Sequence, residues 1–384
     1  MTGDRFQTVS LAEVLSQGSS PERIVDMQNE RYITVSINGK GARERVIKDG
    51  KYPVPFTGYR VSSGQFIYSR IDARNGAYGI VGPELDGFVV SKDFPVFDID
   101  TQRVNPQFLL KSVLGGGFLS QVRQSSFGAT NRMRIKEEVL GQFSIGLPPL
   151  ARQEEIIGIL DRAQAVVDAR QAQLQKLDEL VKARFVEMFG GGCYGEFELG
   201  SRMKTVSGGT PSKKYPEYFE NGTIPWLTSG EINKGRIRAP EHFITKEGLD
   251  HSSAKLVPKN TVVVAMYGAT AGQVGIVDYE TTTNQAVCCI APADICDPVY
   301  LRFALENKKA WMIEQCVGGA QPNISQGVVR KVTIPDASIE SQRSFASFVA
   351  QVDKSGFGIA GGACCPQWPY NRHSRSLRME GLLP

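Results

Sequence analysis

The chain has 384 residues, which is enough for two or three domains with their own hydrophobic cores. A hydrophobic content of 41%, a charged content of 22% and a net charge of +4 are typical of a globular protein and permit nucleic-acid binding without requiring it. No apolar run approaches the roughly 18 residues of a transmembrane helix, and residues 1–10 are polar, so we expect a cytoplasmic protein with no membrane partner.

Cysteine and histidine usage argues against a redox or metal site. The seven cysteines are an odd number and form no CxxC pair, so we expect neither a disulfide framework nor a zinc site. His242, His251 and His373 lie in different segments, which gives metal-dependent or Ser-His catalysis little to use. The sequence therefore predicts no catalytic residue, no metal and no cofactor.

The first half of the chain, residues 1–147, predicts a β-rich module. Residues 64–70 and 75–81 are two apolar runs around a turn that contains glycine, which is the pattern of strand, turn and strand. A short helix should start at Asn105-Pro106, because asparagine caps helices and proline is accepted at their first position. The Asn105-Pro106-Gln107-Phe108 run also approaches the Asn/Asp-Pro-Pro-Tyr/Phe loop of amino-methyltransferases. Its second proline is missing, however, and no glycine-rich cofactor loop precedes it.

A long helix is predicted over residues 148–190. Two prolines precede it, three glycines end it, and the residues between are mostly strong helix formers. Apolar residues recur at every seventh position, with a partial second row between them, as in a coiled-coil seam. The predicted seam comprises Ile156, Leu160, Ala163, Val167, Leu174, Leu177, Val181 and Met188. About 40 helical residues span roughly 60 Å, so we interpret the helix as a spacer; the alternative is an ordinary amphipathic core helix.

The second half, residues 191–336, repeats the landmarks of the first half in the same order. Gly76 and Gly79 correspond to Gly272 and Gly275 at one constant spacing. An Asx-Pro helix start, a Gly-Ala pair and a last strand ending at proline follow in both halves. Chance would not preserve this order, so we infer a duplication. The predicted fold class is α+β, with two similar β-rich domains separated by the long helix in a pseudo-twofold repeat.

Two glycine-rich stretches of the second half are not nucleotide-binding loops. Residues 207–213 lack the Gly-Lys-Ser/Thr ending of a phosphate loop, so a turn that exposes basic residues is the better interpretation. Residues 267–275 lead into a predicted strand, whereas a dinucleotide fingerprint leads into a helix. Trp226 and Tyr267 are interpreted as packing residues rather than as stacking platforms for bases.

The order of several motifs resembles the specificity subunit of type I restriction-modification systems. The motifs are SGGTPSK (207–213), IPWLTSGEI (224–232), YGATAGQVGIV (267–277), TTTNQAV (281–287), GGAQPNIS (318–325) and LPPLARQEEIIGILDRAQ (147–164). The resemblance covers residues from about 7 to about 355. It implies two target-recognition domains that each read one half of a split double-stranded DNA sequence, with long helices that set the gap. It also implies docking of modification (methyltransferase) subunits, possible restriction (motor-nuclease) partners, and no chemistry in the subunit itself.

A DNA reader of this kind needs basic, amide and hydroxyl side chains on exposed loops. The candidates in the first module are Arg70, Arg74, Asn75, Arg132 and Arg134; those in the second are Thr210, Lys213, Lys214, Thr228, Ser229, Thr270, Gln273, Gln321 and Asn323. The two lysines would contact phosphates. Gln273, Gln321 and Asn323 would read adenine edges. The alternative for each residue is an ordinary solvated side chain.

The end of the chain departs from the family's pattern. A second long helix is expected after the second module, and residues 337–355 start it with an amphipathic run. Residues 356–384 contain glycines and a proline and lose the seven-residue phase, so we expect a disordered tail, as from a frame change or a recombination junction. The short helix should then pack beside Leu177, Val181 and Met188, which leaves Ile156, Ile159, Leu160, Ala163 and Val167 without a partner.

Three other functions compete with the DNA-reading subunit. The chain could be a methyltransferase or nuclease acting alone, which the missing cofactor motif disfavours. It could be a silent variant of the specificity subunit. A coiled-coil scaffold with no DNA role is the third, and such a scaffold would show little loss of affinity as salt rises, whereas a DNA reader loses affinity steeply.

Overall fold

The computed structural model describes residues 6–48, 50–126, 134–316 and 323–358, without the side chains of residues 233, 234 and 355–358. The chain divides into two compact units. The first extends to Asp168 and the second begins at Ala169, so the boundary falls within the long helix α4 (Leu150–Phe189). The predicted helix over 148–190 differs from α4 only at its ends, because Pro148 and Pro149 precede the first helical residue.

The first unit is a set of small antiparallel sheets covered by short helices. Its elements are β1 (Gln7–Ser10), β2 (Leu15–Gln17), β3 (Glu22–Ile24), β4 (Ile33–Ser36), β5 (Gly41–Glu44), β6 (Phe56–Arg60), β7 (Phe66–Tyr68), β8 (Tyr78–Ile80), β9 (Val89–Ser91), β10 (Val96–Ile99), α1 (Pro106–Val113), α2 (Gly116–Ser125), α3 (Glu137–Gly141) and β11 (Ser144–Leu147). The sheets have the strand orders β2-β10-β7-β8, β3-β6-β9, β4-β5 and β1-β11.

The second unit has the same plan. Its elements after α4 are β12 (Glu196–Glu198), α5 (Leu199–Arg202), β13 (Thr205–Ser207), β14 (Ile224–Leu227), β15 (Arg236–Ile237), β16 (Phe243–Ile244), α6 (Lys246–Asp250), β17 (Val262–Ala265), β18 (Val274–Val277), β19 (Thr282–Thr283), β20 (Val287–Ile290), α7 (Pro298–Asn307), α8 (Lys309–Glu314), α9 (Gln326–Arg330), β21 (Thr333–Pro335) and α10 (Ile339–Gly358). The sheets have the orders β13-β20-β17-β18-β15, β16-β14-β19 and β12-β21. The central run β2-β10-β7-β8 thus corresponds to β13-β20-β17-β18.

Strand register supports the repeat at single-residue resolution. In the β7–β8 hairpin Ile67 is paired with Gly79, and in the β17–β18 hairpin Val263 is paired with Gly275. The sequence spacing between Ile67 and Val263 equals the spacing between Gly79 and Gly275. The glycines also share a packing reason, because another backbone segment crosses each of them: a Cβ on Gly79 would lie 2.5 Å from the Ala42 nitrogen, and one on Gly275 would lie 3.1 Å from the Gly235 oxygen.

The turns of the two hairpins are equivalent as well. Gly76 and Gly272 both have a left-handed backbone, with φ of 76° and 75°, which glycine adopts without strain. Each turn glycine lies against the end of the Asx-Pro helix region: a Cβ on Gly76 would meet Leu114 at 3.4 Å, and one on Gly272 would meet Lys309 at 2.9 Å. The two glycines therefore have matching surroundings, as the duplication predicts.

Each unit has its own apolar core. In the first, Phe66, Tyr68 and Tyr78 are fully buried and their rings stack at centroid distances of 6.0–6.1 Å. In the second, Phe185 and Phe189 of α4 pack with Phe345 of α10, at 5.3 and 5.7 Å between ring centroids. Neither phenylalanine of α4 was among the predicted seam residues, because both lie beside the two heptad rows rather than on them.

The short helix α10 packs antiparallel to the end of α4. Phe345 contacts Phe189, and the next turn places Phe348 under the Arg184 guanidinium, 6.0 Å from the ring centroid. The expected position beside Val181 and Met188 matches this arrangement, since both residues belong to the same apolar cluster. α10 continues to Gly358, so the prediction that the helix stops at 355 was wrong by one turn. Helix propagation is cooperative and tolerates glycine at a frayed end.

The start of α4 is covered by the first unit, whereas the sequence predicted that it would lack a packing partner. Ile156 was expected to lack a partner, yet Ile156 and Ile157 pack against the core of the first unit. Along the rest of the predicted seam, Val181 is buried, Leu160, Val167, Leu177 and Met188 are half-buried, and Ala163 and Leu174 are exposed. The expected tail over 356–384 lies, from residue 359 onward, outside the described residues.

Candidate nucleic-acid interface

Four loops of the second unit meet at one end of its central sheet. The Thr210 hydroxyl donates a hydrogen bond to the Gln285 side chain, Met266 donates its backbone N–H to the Ala286 carbonyl at 2.8 Å, and Tyr267 forms a β-bridge with Asn323. We call residues 207–214, 226–229, 266–273 and 283–286, together with Asn323, the loop cluster. The structure thus brings Thr210, Thr270, Gln273 and Asn323 onto connected loops, although they are far apart in the sequence.

The SGGTPSK loop owes its shape to two glycines in close contact with neighbouring backbone. A Cβ on Gly208 would lie 2.1 Å from the Thr283 oxygen, and one on Gly209 would lie 2.4 Å from the Ala254 nitrogen. The Gly209 carbonyl also accepts a hydrogen bond of 3.0 Å from the Trp226 indole. The loop is therefore fixed at its start, and Lys213 and Lys214 follow as exposed cations. Trp226 is buried, which agrees with its interpretation as a packing residue.

Other predicted residues of the loop cluster have structural partners of their own. Thr228 caps the turn that follows β14, because Glu231 accepts hydrogen bonds from its backbone N–H at 2.9 Å and from its hydroxyl at 3.1 Å. Ser229 is half-buried within the same turn. Gln273 and Thr270 are half-buried, and the Gln273 N–H donates to the Thr270 carbonyl at 2.9 Å. Gln321 lies outside the described residues.

Sequence reasoning missed two exposed side chains of this cluster. Gln285 is exposed and bonded to Thr210. Tyr267 was interpreted as a packing residue, but its side chain is 38% exposed and its backbone bridges to Asn323. Both belong to motifs that the sequence analysis quoted, and the turn signal around Gly268 was the available hint that Tyr267 lies at a loop tip.

The first unit places its predicted arginines in ion pairs. Arg70 pairs with Glu137, and Arg134 pairs with Asp93 at 3.3 Å. Arg134 occupies the position of Asn323 in the repeat, because Ile135 donates its N–H to the Arg70 carbonyl as Ile324 donates to the Met266 carbonyl. Each guanidinium has five N–H donors, so a contact with DNA would either use the donors left over or compete with the carboxylate. Arg132 lies outside the described residues.

The remaining candidates lie in the turn of the β7–β8 hairpin. Asn75 is exposed, and its amide donates to the Asp72 carboxylate at 3.2 Å. Arg74 is half-buried, and its carbonyl accepts from the Arg123 guanidinium at 3.2 Å. The turn is thus rigid, and Asn75 is its most accessible amide.

A basic hairpin beside this turn was also missed. Between β4 and β5, Asn38 and Gly39 both have positive φ, of 60° and 70°, which is the geometry of a tight hairpin turn. Their N–H groups donate to the carbonyls of Asn75 and Gly76 at 2.8 and 3.0 Å. The exposed cations of this hairpin are Lys40 and Arg43. Together with Thr34, Ser36 and Ile37 they line a surface cavity of about 390 Å³. The Asn-Gly pair was the sequence signal for this hairpin.

The buried cysteines of the second unit are unreactive at neutral pH. Cys288, Cys289 and Cys296 are buried and free, and burial raises the pKa of the Cys289 thiol to about 11. Their thiols are therefore protonated at neutral pH and poor nucleophiles.

Among the described residues, no helix is both long enough and apolar enough to cross a membrane.

Comparison with known proteins identifies relatives of this arrangement. The family described as "Type I restriction modification DNA specificity domain" matches residues 194–360. The chain is 27% identical over 220 residues to the specificity subunit of type I restriction enzyme EcoR124I/EcoR124II of Escherichia coli; the match covers 53% of this chain and 52% of that subunit. It is 22% identical over 362 residues to the HindI specificity subunit of Haemophilus influenzae, covering 73% of this chain and 78% of the relative.

Two solved structures share the fold. A chain from a study of complex assembly and conformational transition of the type I R-M system matches with a TM-score of 0.58 at 17% identity, covering 93% of this chain and 92% of the other. The S subunit of a type I restriction-modification system from M. genitalium matches with a TM-score of 0.52 at 12% identity, covering 94% and 93% of the two chains. The α+β architecture with two similar units is therefore shared with these subunits.

Proposed function

We propose that the chain is a type I restriction-modification specificity subunit, like the proteins it resembles, and that it reads a DNA target in two parts and directs partner subunits to it. The observation that supports this most is the repeated hairpin turn. In both units the turn lies beside the position held by Arg134 and Asn323, so each unit offers polar and basic side chains at an equivalent place. A duplicated reader fits a target with two separate halves.

The two units would use different chemistry for recognition. The loop cluster of the second unit exposes amide groups of Asn323 and Gln285, which match the donor and acceptor pattern of adenine in the major groove. The first unit offers guanidiniums in ion pairs, together with Asn75. Lys213, Lys214, Lys40 and Arg43 are exposed cations and would hold phosphates, which fixes position without reading sequence.

Methyl transfer and cleavage would belong to partner subunits. We propose that α4 provides the docking surface for a methyltransferase subunit, because large apolar side chains on it are exposed, including Leu174 at 51% and Leu180 at 49%. A contiguous exposed apolar patch marks an interaction surface, and the proposed docking surface would be built around these side chains.

Co-expression with a type I methyltransferase subunit, followed by mapping of methylated adenines across the genome, tests this function. We expect methylation at a split motif with a fixed gap, and no methyl transfer when the purified chain alone is mixed with DNA and labelled methyl donor. Transfer by the chain alone, or a continuous motif, would contradict the proposal. A flat dependence of DNA affinity on salt would favour a scaffold instead, since each neutralised phosphate contributes a log–log slope of about −0.9.

A further inference from the structure

One carboxylate of the second unit is buried with half of its hydrogen-bonding capacity unused. Glu231 is 3% exposed, and one of its oxygens accepts both hydrogen bonds from Thr228. The other oxygen, Oε2, is buried and has no hydrogen-bond partner among the residues whose side chains are described. A buried anionic oxygen is costly unless a donor or a cation satisfies it. The site therefore calls for a positively charged or proton-donating group that faces Glu231.

Further ligand-type atoms converge on this carboxylate. Glu231, Glu241 and His242 each offer one atom, and these atoms all lie within 4.8 Å of one another. The hydroxyl of Tyr279 is also buried with no hydrogen-bond partner among the described side chains. A buried, unsatisfied carboxylate oxygen beside an imidazole and a second carboxylate is more than an acidic patch.

We propose that Glu231, Glu241 and His242 bind a divalent transition-metal ion, with Zn²⁺ as the best match. Imidazole nitrogen with carboxylate oxygen suits Zn²⁺, whereas Mg²⁺ and Ca²⁺ prefer oxygen ligands alone. Zn²⁺ binds such ligands at about 2.0–2.2 Å in tetrahedral geometry, which places them about 3.4 Å apart, so atoms at the 4.8 Å limit need to approach one another by up to about 1.4 Å. His242 is exposed and can make that adjustment by side-chain rotation, while Glu231 is fixed by Thr228. This departs from the expectation, drawn from the sequence, that the chain has no metal site.

The backbone around the site is fixed and its outer side is open. The His242 carbonyl accepts the Trp226 N–H at 2.9 Å, which holds His242 beside β14. Glu241, His242 and Trp226 line a surface cavity of about 420 Å³ together with Phe219, Asn221, Gly222 and Phe243. An ion can enter through this cavity, and water can complete its coordination. The bound ion would tie the Thr228–Glu231 turn to the segment that leads into β16.

Metal titration of the full-length chain tests the proposal without reference to DNA. The parent protein should carry Cys193→Ser, Cys364→Ser and Cys365→Ser, so that thiols outside the site do not bind zinc. After chelator treatment, competition with a chromophoric zinc indicator should show one Zn²⁺ per chain with a micromolar or lower Kd. His242→Ala and Glu231→Gln should each weaken binding at least tenfold. Mg²⁺ should compete at least a hundredfold less well than Zn²⁺.

His251→Ala is the matched control, because His251 is an exposed histidine of the same unit that stacks on Tyr218, 5.8 Å between ring centroids, and is not part of the cluster. It should leave the Kd of the parent unchanged. Absence of zinc binding in the cysteine-substituted parent would overturn the proposal, as would equal affinity in His242→Ala and the parent. Because Glu231→Gln alters a buried capping side chain, its folding is checked by circular dichroism; the exposed His242 carries the test if that variant unfolds.

Discussion

Gln153 and Gln342 make the same set of hydrogen bonds in the two units. Each is buried near the start of the helix that follows the last strand of its unit, α4 or α10, with 0% and 3% of its surface exposed, respectively. Each Oε1 accepts the backbone N–H of the residue that caps the Asx-Pro helix, Asn105 at 2.7 Å and Asp297 at 2.8 Å. Each Nε2 donates to two backbone carbonyls, those of Arg103 and Pro148 at 2.9 and 2.8 Å, and those of Ile295 and Ala337 at 3.2 and 2.9 Å. In each unit, one glutamine side chain thus connects the β-rich module to the helix that follows it.

Replacing either glutamine by alanine should destabilise its own unit. Gln153→Ala and Gln342→Ala each leave one buried N–H and two buried carbonyls without a partner, which costs about 2–4 kcal/mol of unfolding free energy. Urea unfolding, followed unit by unit with limited proteolysis, measures the loss. Gln164→Ala is the control, because Gln164 is exposed and its amide donates a hydrogen bond to Asp168 on the same helix; its effect should stay within about 0.5 kcal/mol. A loss below about 1 kcal/mol in both buried variants would contradict this role.

The paired glycines Gly79 and Gly275 should differ in their tolerance of alanine. A Cβ on Gly79 meets backbone at 2.5 Å and requires the β4–β5 hairpin to move, whereas one on Gly275 meets backbone at 3.1 Å and needs a shift of a few tenths of an ångström. We expect Gly79→Ala to cost about 3 kcal/mol and Gly275→Ala about 1 kcal/mol, within the range for overpacking. Thermal denaturation of the two variants ranks them.

Gly117→Ala provides the control for the glycine series. Gly117 lies in α2, and nothing would lie within 4 Å of its Cβ. Alanine is favoured over glycine in helices by about 0.8–1.0 kcal/mol, so this variant should be more stable than the parent. Equal losses in Gly79→Ala and Gly275→Ala would show that the backbone crossing over Gly79 is softer than its distances imply.

The sequence predicted the repeat and the long helix because both depend on local rules. Glycine turns, Asx-Pro helix starts and a proline-to-glycine helix span are specified by residues close together in the chain. The alignment of Gly79 with Gly275 was predictable because each position needs a residue without a side chain where another strand crosses. Such constraints are strong enough to remain visible in the two diverged halves.

The partners of the predicted site residues could not be predicted in this way. The ion pair of Arg70 with Glu137 and the hydrogen bond of Thr210 to Gln285 join residues that are distant in the chain. Burial of the α4 seam depends on which module packs against each turn, so Val181 is buried while Leu174 at the next lower heptad position is exposed. Periodicity identifies a face of a helix, but it does not say what covers that face.

Lys213 and Lys214 should contribute to DNA affinity without contributing to sequence choice. Replacing both by alanine removes two exposed cations from the loop cluster, and the slope of log affinity against log salt should become shallower by about 1 for each phosphate that is no longer neutralised. Fluorescence anisotropy at several salt concentrations measures the slope, and methylation mapping of the variant should return the parent's motif. Lys246→Ala is the control, because Lys246 is exposed but paired with Asp250 in α6. An unchanged slope in the double variant would place the phosphates elsewhere, with Lys40 and Arg43 as the next candidates.

Leu174→Glu should weaken binding of the methyltransferase subunit while leaving both units folded. Leu174 is 51% exposed on α4, so a carboxylate there remains solvated in the free chain, and glutamate is nearly as good a helix former as leucine. In the complex the same carboxylate would be buried against an apolar partner, which carries a large desolvation cost. We expect at least a tenfold loss in a quantitative pull-down, with unchanged thermal unfolding. Lys176→Glu adds a carboxylate at an exposed position on the same helix and should lose less than threefold; equal losses in the two variants would mean that charge rather than apolar contact governs docking on α4.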